Sequence, residues 1–335
     1  MNILFTCAGR RNYLINYCKQ ALNGQGKVLA TDMSELAPAM SDADISLIVP
    51  SIYSDDYIPT LLNIVKDYHV NAIISLNDLE LPILSSHKQE FTDLGAEVII
   101  SDSAVIDICF DKIKTRDFLA SIGLKTPLTF TNYNQALQAI KEDQLTFPLV
   151  LKPRWGSASI GIEFPESLEE FELAYKLLMI KLKNTILFEA SKNELDAAIL
   201  IQQKLNGPEY GMDIVNDLNQ EYFTTAVRKK LSMRAGETDK AVSVVDQRFS
   251  DIGEKISTHL KHIGNLDCDV FEQDGELYVL ELNPRFGGGY PFSHEAGMNT
   301  IQAYLAWLAG EKLESSFNQY KADLVFSKCD RLIRI

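Results

Sequence analysis

Apolar residues in this chain fall in short runs separated by amphipathic stretches. The run Ile3-Leu4-Phe5-Thr6-Cys7 reads as a first strand, followed by a helix near Tyr13 to Asn23. Val28-Leu29-Ala30-Thr31-Asp32 is a second strand, and Ser46 to Val49 a short third. A helix from Tyr57 to Tyr68 leads into Ala72-Ile73-Ile74-Ser75-Leu76. A further helix around Glu80 to Leu94 precedes Glu97-Val98-Ile99-Ile100. Strands separated by helices of this size predict an α/β domain over residues 1–105: a parallel sheet with helices on both faces. In such sheets ligands bind beyond the carboxyl ends of the strands, which draws attention to Asn77-Asp78-Leu79-Glu80. Asp78 or Glu80 there could receive an ammonium group.

The rhythm changes beyond residue 105. Asp111-Lys112-Ile113-Lys114 opens a helix, and Gly123 with Pro127 closes its neighbourhood, so 106–147 reads as linking helices. Pro148-Leu149-Val150-Leu151-Lys152-Pro153 is a strand bracketed by prolines, with Lys152 at its exit. Arg154-Trp155-Gly156-Ser157-Ala158-Ser159-Ile160-Gly161 follows; its small residues let backbone amides approach phosphate oxygens, although an ordinary hairpin connection has the same look. An acidic helix, Ser167 to Lys183, leads to the strand Ile199-Leu200-Ile201-Gln202-Gln203-Lys204-Leu205, which completes a small subdomain over 148–205. The chain then turns through Asn206-Gly207-Pro208 into Glu209.

Within 206–335 the most informative segment is Leu280-Glu281-Leu282-Asn283-Pro284-Arg285, before a Gly287-Gly288-Gly289 turn. On a strand from Leu277 to Asn283, Glu281 and Asn283 share one face while Leu280 and Leu282 point into a core. A carboxylate and an amide oxygen beside an arginine suit a hard cation holding polyphosphate. The preceding strand, Asp267-Cys268-Asp269-Val270-Phe271-Glu272, supplies a third ligand only if the turn has odd length. A three-residue turn at Gln273, Asp274 and Gly275 puts Asp269 opposite Val279, on the face of Glu281 and Asn283; a two-residue turn flips it away. Asp267 has the same parity and is a substitute.

Composition narrows the function classes. With 335 residues and 46% hydrophobic content, the chain can fill two or more packed subdomains. No apolar run is long enough for a bilayer, and the N-terminus lacks the basic region and apolar stretch of a signal peptide. Five scattered cysteines without metal spacing point to a reducing cytoplasm. A net charge of −14 argues against a general nucleic-acid binder. The first loop, Ala8-Gly9-Arg10-Arg11, is neither a Walker loop nor a G-x-G-x-x-G, which disfavours a dehydrogenase. Its two arginines could hold an anion at a helix N-terminus or simply face solvent.

The order Lys112, Lys152 with its glycine loop, Gln203 to Glu209, then Asp269, Glu281, Asn283 and Arg285 resembles the ATP-grasp superfamily. The similarity is to the branch of the carbamoyl-phosphate synthetase large subunit and the pyrrolysine-pathway ligase, and it covers essentially the whole chain. The resemblance implies a Rossmann-like, pre-ATP-grasp domain followed by a two-lobed ATP-grasp fold. It implies that Lys112, Lys152 and the loop residues Gly156, Ser157 and Ser159 contact phosphates, and that Gln203, Lys204 and Leu205 form the adenine hinge. Many relatives have Glu in place of Gln203, which weakens the hinge assignment. Glu209 would take the ribose. Asp269, Glu281 and Asn283 would hold Mg2+, with Mn2+ as a substitute. Lys152 and Arg285 would serve catalysis, with Arg285 against the γ-phosphate and the acyl acceptor.

The implied chemistry is activation of a carboxylate by ATP as an acyl phosphate, which an amine then attacks. The partners are a small-molecule acid and a small-molecule amine, one of them an amino acid or similar compound; nucleic acid and membrane are not expected, and a homodimer is left open. Arg228 or Arg234, in the basic stretch after Val227, could bind a substrate carboxylate bidentately. His294 reads as a substrate contact or a structural residue. A carboxyphosphate-using carboxylase or carbamoyl-transferring enzyme, and a nucleotide-binding module without catalysis, are the other two readings.

Overall fold

The computed structural model describes residues 1–156, 161–185, 188–313 and 317–334. Strands β1 (Ile3–Thr6), β2 (Val28–Asp32), β3 (Ile45–Ile48), β4 (Ala72–Ser75) and β5 (Glu97–Val98) form a parallel sheet in the order β3-β2-β1-β4-β5. Every residue of β1 and β4 is buried, as expected for strands covered on both faces. Leu4 and Ile73 face a core shared with Leu61 and Val65 of the helix Tyr57–Asp67. Ile3 and Phe5 face the opposite core, which takes in Tyr290, Ile301 and Tyr304 from the far end of the chain. The first domain is therefore packed directly on the C-terminal one, and the carboxyl ends of β1 and β4 open toward it.

The expected helix from Glu80 to Leu94 is two, Leu81–Ser86 and Lys88–Asp93, broken at His87. The run Ser85-Ser86-His87 is poor in helix formers, and the Ser86 hydroxyl donates to the Ile83 carbonyl at 2.8 Å.

A small antiparallel sheet, order β6-β8-β7, combines β6 (Thr129–Phe130), β7 (Leu149–Pro153) and β8 (Ile199–Gln203). The helices Tyr133–Lys141 and Leu168–Leu182 cover it through Ala136, Ala139, Phe171 and Leu178. Ser167 caps the second helix by accepting from the Glu170 amide, and Glu169 and Glu170 occupy the positive end of its dipole.

The third sheet is antiparallel and six-stranded. It comprises β9 (Glu209–Asn216), β10 (Tyr222–Arg234), β11 (Glu237–Val244), β12 (Gly264–Gln273), β13 (Glu276–Asn283) and β14 (Val325–Ser327), in the order β13-β12-β9-β10-β11-β14. Its lower face is apolar: Met212, Ile214, Leu266, Cys268, Val270 and Leu282 pack on the helices Ser103–Phe110 and Gln247–Leu260. Truncating one of these side chains, Leu282 for instance, costs about 2–5 kcal/mol. Its upper face is polar and forms the floor of a cleft roofed by the small sheet. Among the described residues no helix is long and apolar enough to cross a membrane, and all five cysteines are free.

Candidate functional site

The hairpin of β12 and β13 departs from the expected register and reaches the same result. Gln273 pairs with Glu276, so the turn is the two-residue Asp274-Gly275, both with positive φ, at +53° and +79°. That signature fits a type I′ hairpin turn. Such a turn alone would have pointed Asp269 away. An irregularity between Asp269 and Val270 corrects it: Val270 pairs with Val279 but Asp269 pairs with Glu281, leaving Leu280 as an extra residue. Leu280 consequently lines the cleft instead of entering the core, as was expected of it, while Leu282 is fully buried below.

Pairing across the sheet then stacks polar side chains in rows. Asn283 lies opposite Asp267 and Asp267 opposite Asp213; Glu281 lies opposite Asp269, which faces Gly211 and then Arg228. Buried carboxylates at this density need counter-charge. Arg228 supplies it with Nη1 at 2.5 Å from Asp213 and Nη2 at 2.9 Å from Asp267. Glycine makes room for the guanidinium: a Cβ on Gly289 would lie 2.1 Å from its Nε, and one on Gly211 2.7 Å from its Nη2. Arg285 continues the chain of alternating charge, 3.2 Å from Asp267 and 2.8 Å from Asp78. Burial alone would push the Asp267 carboxyl up, but Arg228, Arg285 and Lys230 together hold it below the usual range.

Asp269 behaves differently. Burial, with Asp267, Glu209 and Glu281 nearby, raises it to about 7 against the pull of Lys230. The Lys230 ammonium sits 2.7 Å from Asp269 and 2.6 Å from Glu209. Sequence reasoning missed this lysine, although it stands two residues from Arg228 on one strand and so on the same face.

Two more cations reach the cleft, Lys152 from the roof and Lys112 from the start of a helix packed on the floor. Lys152, at the exit of β7, is 7% exposed and makes no hydrogen bond or ion pair among the described residues. Burial pulls its pKa down and Lys112 adds to that, while Glu281, Asp269 and Glu209 oppose it. Lys112 donates to the Gly156 carbonyl and lies 3.8 Å from Glu281. Asp111 fixes the two lysines relative to each other. It caps the helix Lys112–Ser121 by accepting from the Ile113 amide at 2.9 Å. It also takes a bidentate contact from Arg154, at 2.8 and 2.6 Å.

Between roof and floor lies a cavity of about 760 Å³, lined by Lys112, Lys152, Gly156, Leu280, Asp269 and Glu281, among others. Gln203, Lys204, Leu205 and Glu209 close its inner side. The Gln203 amide is spent on the Leu128 carbonyl, whereas the Lys204 and Leu205 backbones take no backbone partner among the described residues. Ser157 and Ser159 lie outside the described residues.

A second cavity of about 330 Å³ adjoins the first and shares Asp269 and Glu281 with it. Arg10, Arg11, Asp78, Arg228, Lys230 and Arg285 contribute to its walls. Arg11 is held by Glu237 at 2.8 Å, while the exposed Arg10 has no ion pair among the described residues. Glu80 is fully buried behind this wall, accepting from Thr6, Tyr57 and Ser75. Arg234 lines neither cavity, although its neighbours Met233 and Gly236 line both: it is half exposed and pairs with Asp239 and Asp330 at the surface. His294 is stacked on Tyr17 with centroids 3.5 Å apart, at the junction of the first helix with the C-terminal part, and lines neither cavity.

Among the described residues no group of three or more His, Cys, Asp or Glu side chains is arranged around one point to hold a metal. Asp269, Glu281 and the Asn283 amide nevertheless share a face and carry only oxygen donors. That set fits Mg2+, which is usually bound by one or two carboxylates and completed by phosphate oxygens and water.

A fold with a parallel-sheet domain, a small antiparallel roof and a large antiparallel floor around a lysine-lined cleft is the ATP-grasp architecture. More particularly, residues 3–99 match the model of the PylC-like N-terminal domain, and residues 196–329 that of the ATP-grasp in the biosynthetic pathway with Ter operon. The chain is 26% identical over 284 residues to the formate-dependent phosphoribosylglycinamide formyltransferase of Prochlorococcus marinus (strain AS9601), covering 82% of this chain and 66% of that protein. It is 24% identical over 288 residues to the carbamoyl phosphate synthase large chain of Haemophilus ducreyi, covering 79% of this chain and 25% of the relative. The chain thus spans about two thirds or less of the length of these curated relatives. The solved L-amino acid ligase from Bacillus licheniformis superposes with a TM-score of 0.71 over 96% of this chain and 78% of its own, at 16% identity, a likeness of fold.

Proposed function

We propose that the protein is an ATP-dependent carboxylate–amine ligase acting on small molecules. The observation that carries this reading is the junction of the two cavities at Asp269 and Glu281, with Lys152, whose side chain has no ion pair among the described residues, lining the larger one. The larger cavity would take the nucleotide, with the adenine edge against the Lys204 and Leu205 backbone and the ribose at Glu209. The phosphates would lie toward Lys112, Lys152 and the loop that begins at Gly156. Asp269, Glu281 and Asn283 would hold Mg2+ or Mn2+, which when bound neutralises phosphate charge as the γ-phosphoryl group departs.

The smaller cavity would take the acid and then the amine. A carboxylate oxygen attacks the γ-phosphorus, the bond to ADP breaks, and an acyl phosphate forms. The amine nitrogen then attacks the acyl carbon, phosphate leaves, and the nitrogen loses its proton. Arg285, fixed between Asp78 and Asp267, stands where it can meet the charge that develops at the carboxylate and γ-phosphate. The Arg228 and Asp78 side chains are committed to protein partners, so their part is to position Arg285 and Asp267. Arg10, which lines the smaller cavity and has no ion pair among the described residues, would meet an anionic substrate group.

Release of ADP from Mg·ATP across a panel of amino acids and hydroxy acids, with mass spectrometry of the products, tests the reading. The expected result is ADP released only with an acid and amine pair, and a product lighter than its components by one water. ADP release that depends on bicarbonate instead would move the assignment to carboxyphosphate chemistry, and binding without ADP release would make the chain a nucleotide-binding module.

A further inference from the structure

Lys230 lines the smaller cavity, and its two partners are the groups that the nucleotide reading assigns elsewhere. Its Nζ is 2.6 Å from Glu209, the ribose candidate, and 2.7 Å from Asp269, the metal candidate. The side chain is only 6% exposed. The other two cations of the floor are committed away from those two carboxylates, Arg228 to Asp213 and Asp267, and Arg285 to Asp78 and Asp267. Among the described residues neither Lys112 nor Lys152 forms a hydrogen bond or ion pair with Asp269 or Glu209. Lys230 is thus, among the described residues, the cation in hydrogen-bond contact with this pair. An irregularity in the pairing of β10 with β11 follows directly after it, between Lys230 and Ser232, and bulges of this kind redirect side chains beside active sites. Lys230 itself lines the smaller cavity, whereas Glu209 lines the larger and Asp269 both.

We infer that Lys230 is a placeholder cation: it holds the metal-and-ribose carboxylates until a metal–nucleotide complex displaces it, and then turns to the phosphoryl or acyl anion in the smaller cavity. Two consequences follow from charge balance. A divalent ion alone must compete with a covalently tethered ammonium for Asp269, so it binds poorly. A metal–nucleotide complex brings anionic oxygens that compensate the displaced ammonium, so it binds well. Lys230 would therefore favour joint entry of metal and nucleotide over entry of the metal by itself, acting as a positioning residue for the transferred group. The inference rests on the placement of the nucleotide proposed above, but its metal-only consequence does not require catalysis.

The test uses the full chain and two probes in mildly alkaline buffer: Mn2+ alone, followed by electron paramagnetic resonance, and Mn2+ with a nonhydrolysable imido analogue of ATP, followed by calorimetry. Lys230→Met should bind Mn2+ alone about tenfold more tightly than the unaltered protein and the Mn–nucleotide complex about tenfold more weakly. Lys230→Arg, which keeps the charge, should stay within about threefold of the unaltered protein for Mn2+ alone. Opposite signs for the two probes cannot come from general loosening, which would weaken both. Weaker or unchanged binding of Mn2+ alone by Lys230→Met overturns the inference, as does equal tightening by Lys230→Arg. If Lys230→Met does not fold, Lys230→Gln is read by the same criteria. Failure of every form to bind the Mn–nucleotide complex would instead strike the nucleotide reading, and the metal-only comparison would still decide the role of Lys230.

Discussion

At the scale of single residues, the cleft keeps charged groups under conditions that do not favour folding. Lys152 is buried with no hydrogen bond or ion pair among the described residues, and its pKa is depressed chiefly by that burial. A group in that state costs stability and is retained for what it binds. Lys152→Met is therefore expected to raise the unfolding free energy by about 1 kcal/mol while weakening Mg·ATP binding by about a hundredfold or more; chemical denaturation and calorimetry read the two separately. Two histidines make a second prediction. His262 and His294 are pushed down to about 4 by burial, against an unperturbed 6.5. Between those values the unfolded chain binds protons that the folded one does not. Stability should thus fall as pH drops from 6.5 toward 4, by up to about 1.4 kcal/mol per pH unit for each histidine. Replacing fully buried His262 with Gln should flatten part of that slope in denaturation curves taken across this window.

At the scale of elements, one ion pair links roof to floor. Asp111 caps the helix that carries Lys112 and grips Arg154 just past the strand that carries Lys152, with both side chains nearly buried. Removing the carboxylate with Asp111→Ala leaves a buried guanidinium without its bidentate partner and exposes a helix terminus, at a cost of about 3–5 kcal/mol. The expected outcome is a lowered melting temperature together with loss of nucleotide affinity, and a calorimetric scan with and without Mg·ATP checks both. Asp111 and Lys112 were conspicuous in the sequence as the start of a helix, but the partner of Asp111 lies 43 residues away and no local pattern announces it. The parallel sheet was legible because its strands are uniformly apolar and regularly spaced by helices. The break at His87 and the extra residue Leu280 were not, since a helix interruption and a bulge leave only weak marks on periodicity. The hairpin illustrates how errors can offset: the turn is shorter than expected, the bulge restores parity, and Asp269 still meets Glu281.

At the scale of the whole molecule, the first domain does more than precede the cleft. Its sheet shares a core with the C-terminal helices, and its β1 and β4 ends supply Arg10, Arg11 and Asp78 to the smaller cavity. The order of the phosphate and metal candidates along the chain was readable because each sits at a strand end or helix start with its own punctuation. The charge network was not, because Asp213, Arg228, Asp267, Arg285 and Asp78 come from five separate segments and acquire meaning only through sheet register. That same register is why Arg228 emerges as an internal partner of carboxylates and Arg234 as a surface residue.

The most direct test of the account is a crystal structure of the full chain with Mg2+ and a nonhydrolysable ATP analogue. The account predicts the triphosphate between Lys112 and Lys152, the metal on Asp269, Glu281 and Asn283, and the ribose at Glu209. A nucleotide bound elsewhere, or a filled cleft whose phosphates touch neither lysine while Asp269 and Glu209 remain on Lys230, would contradict it.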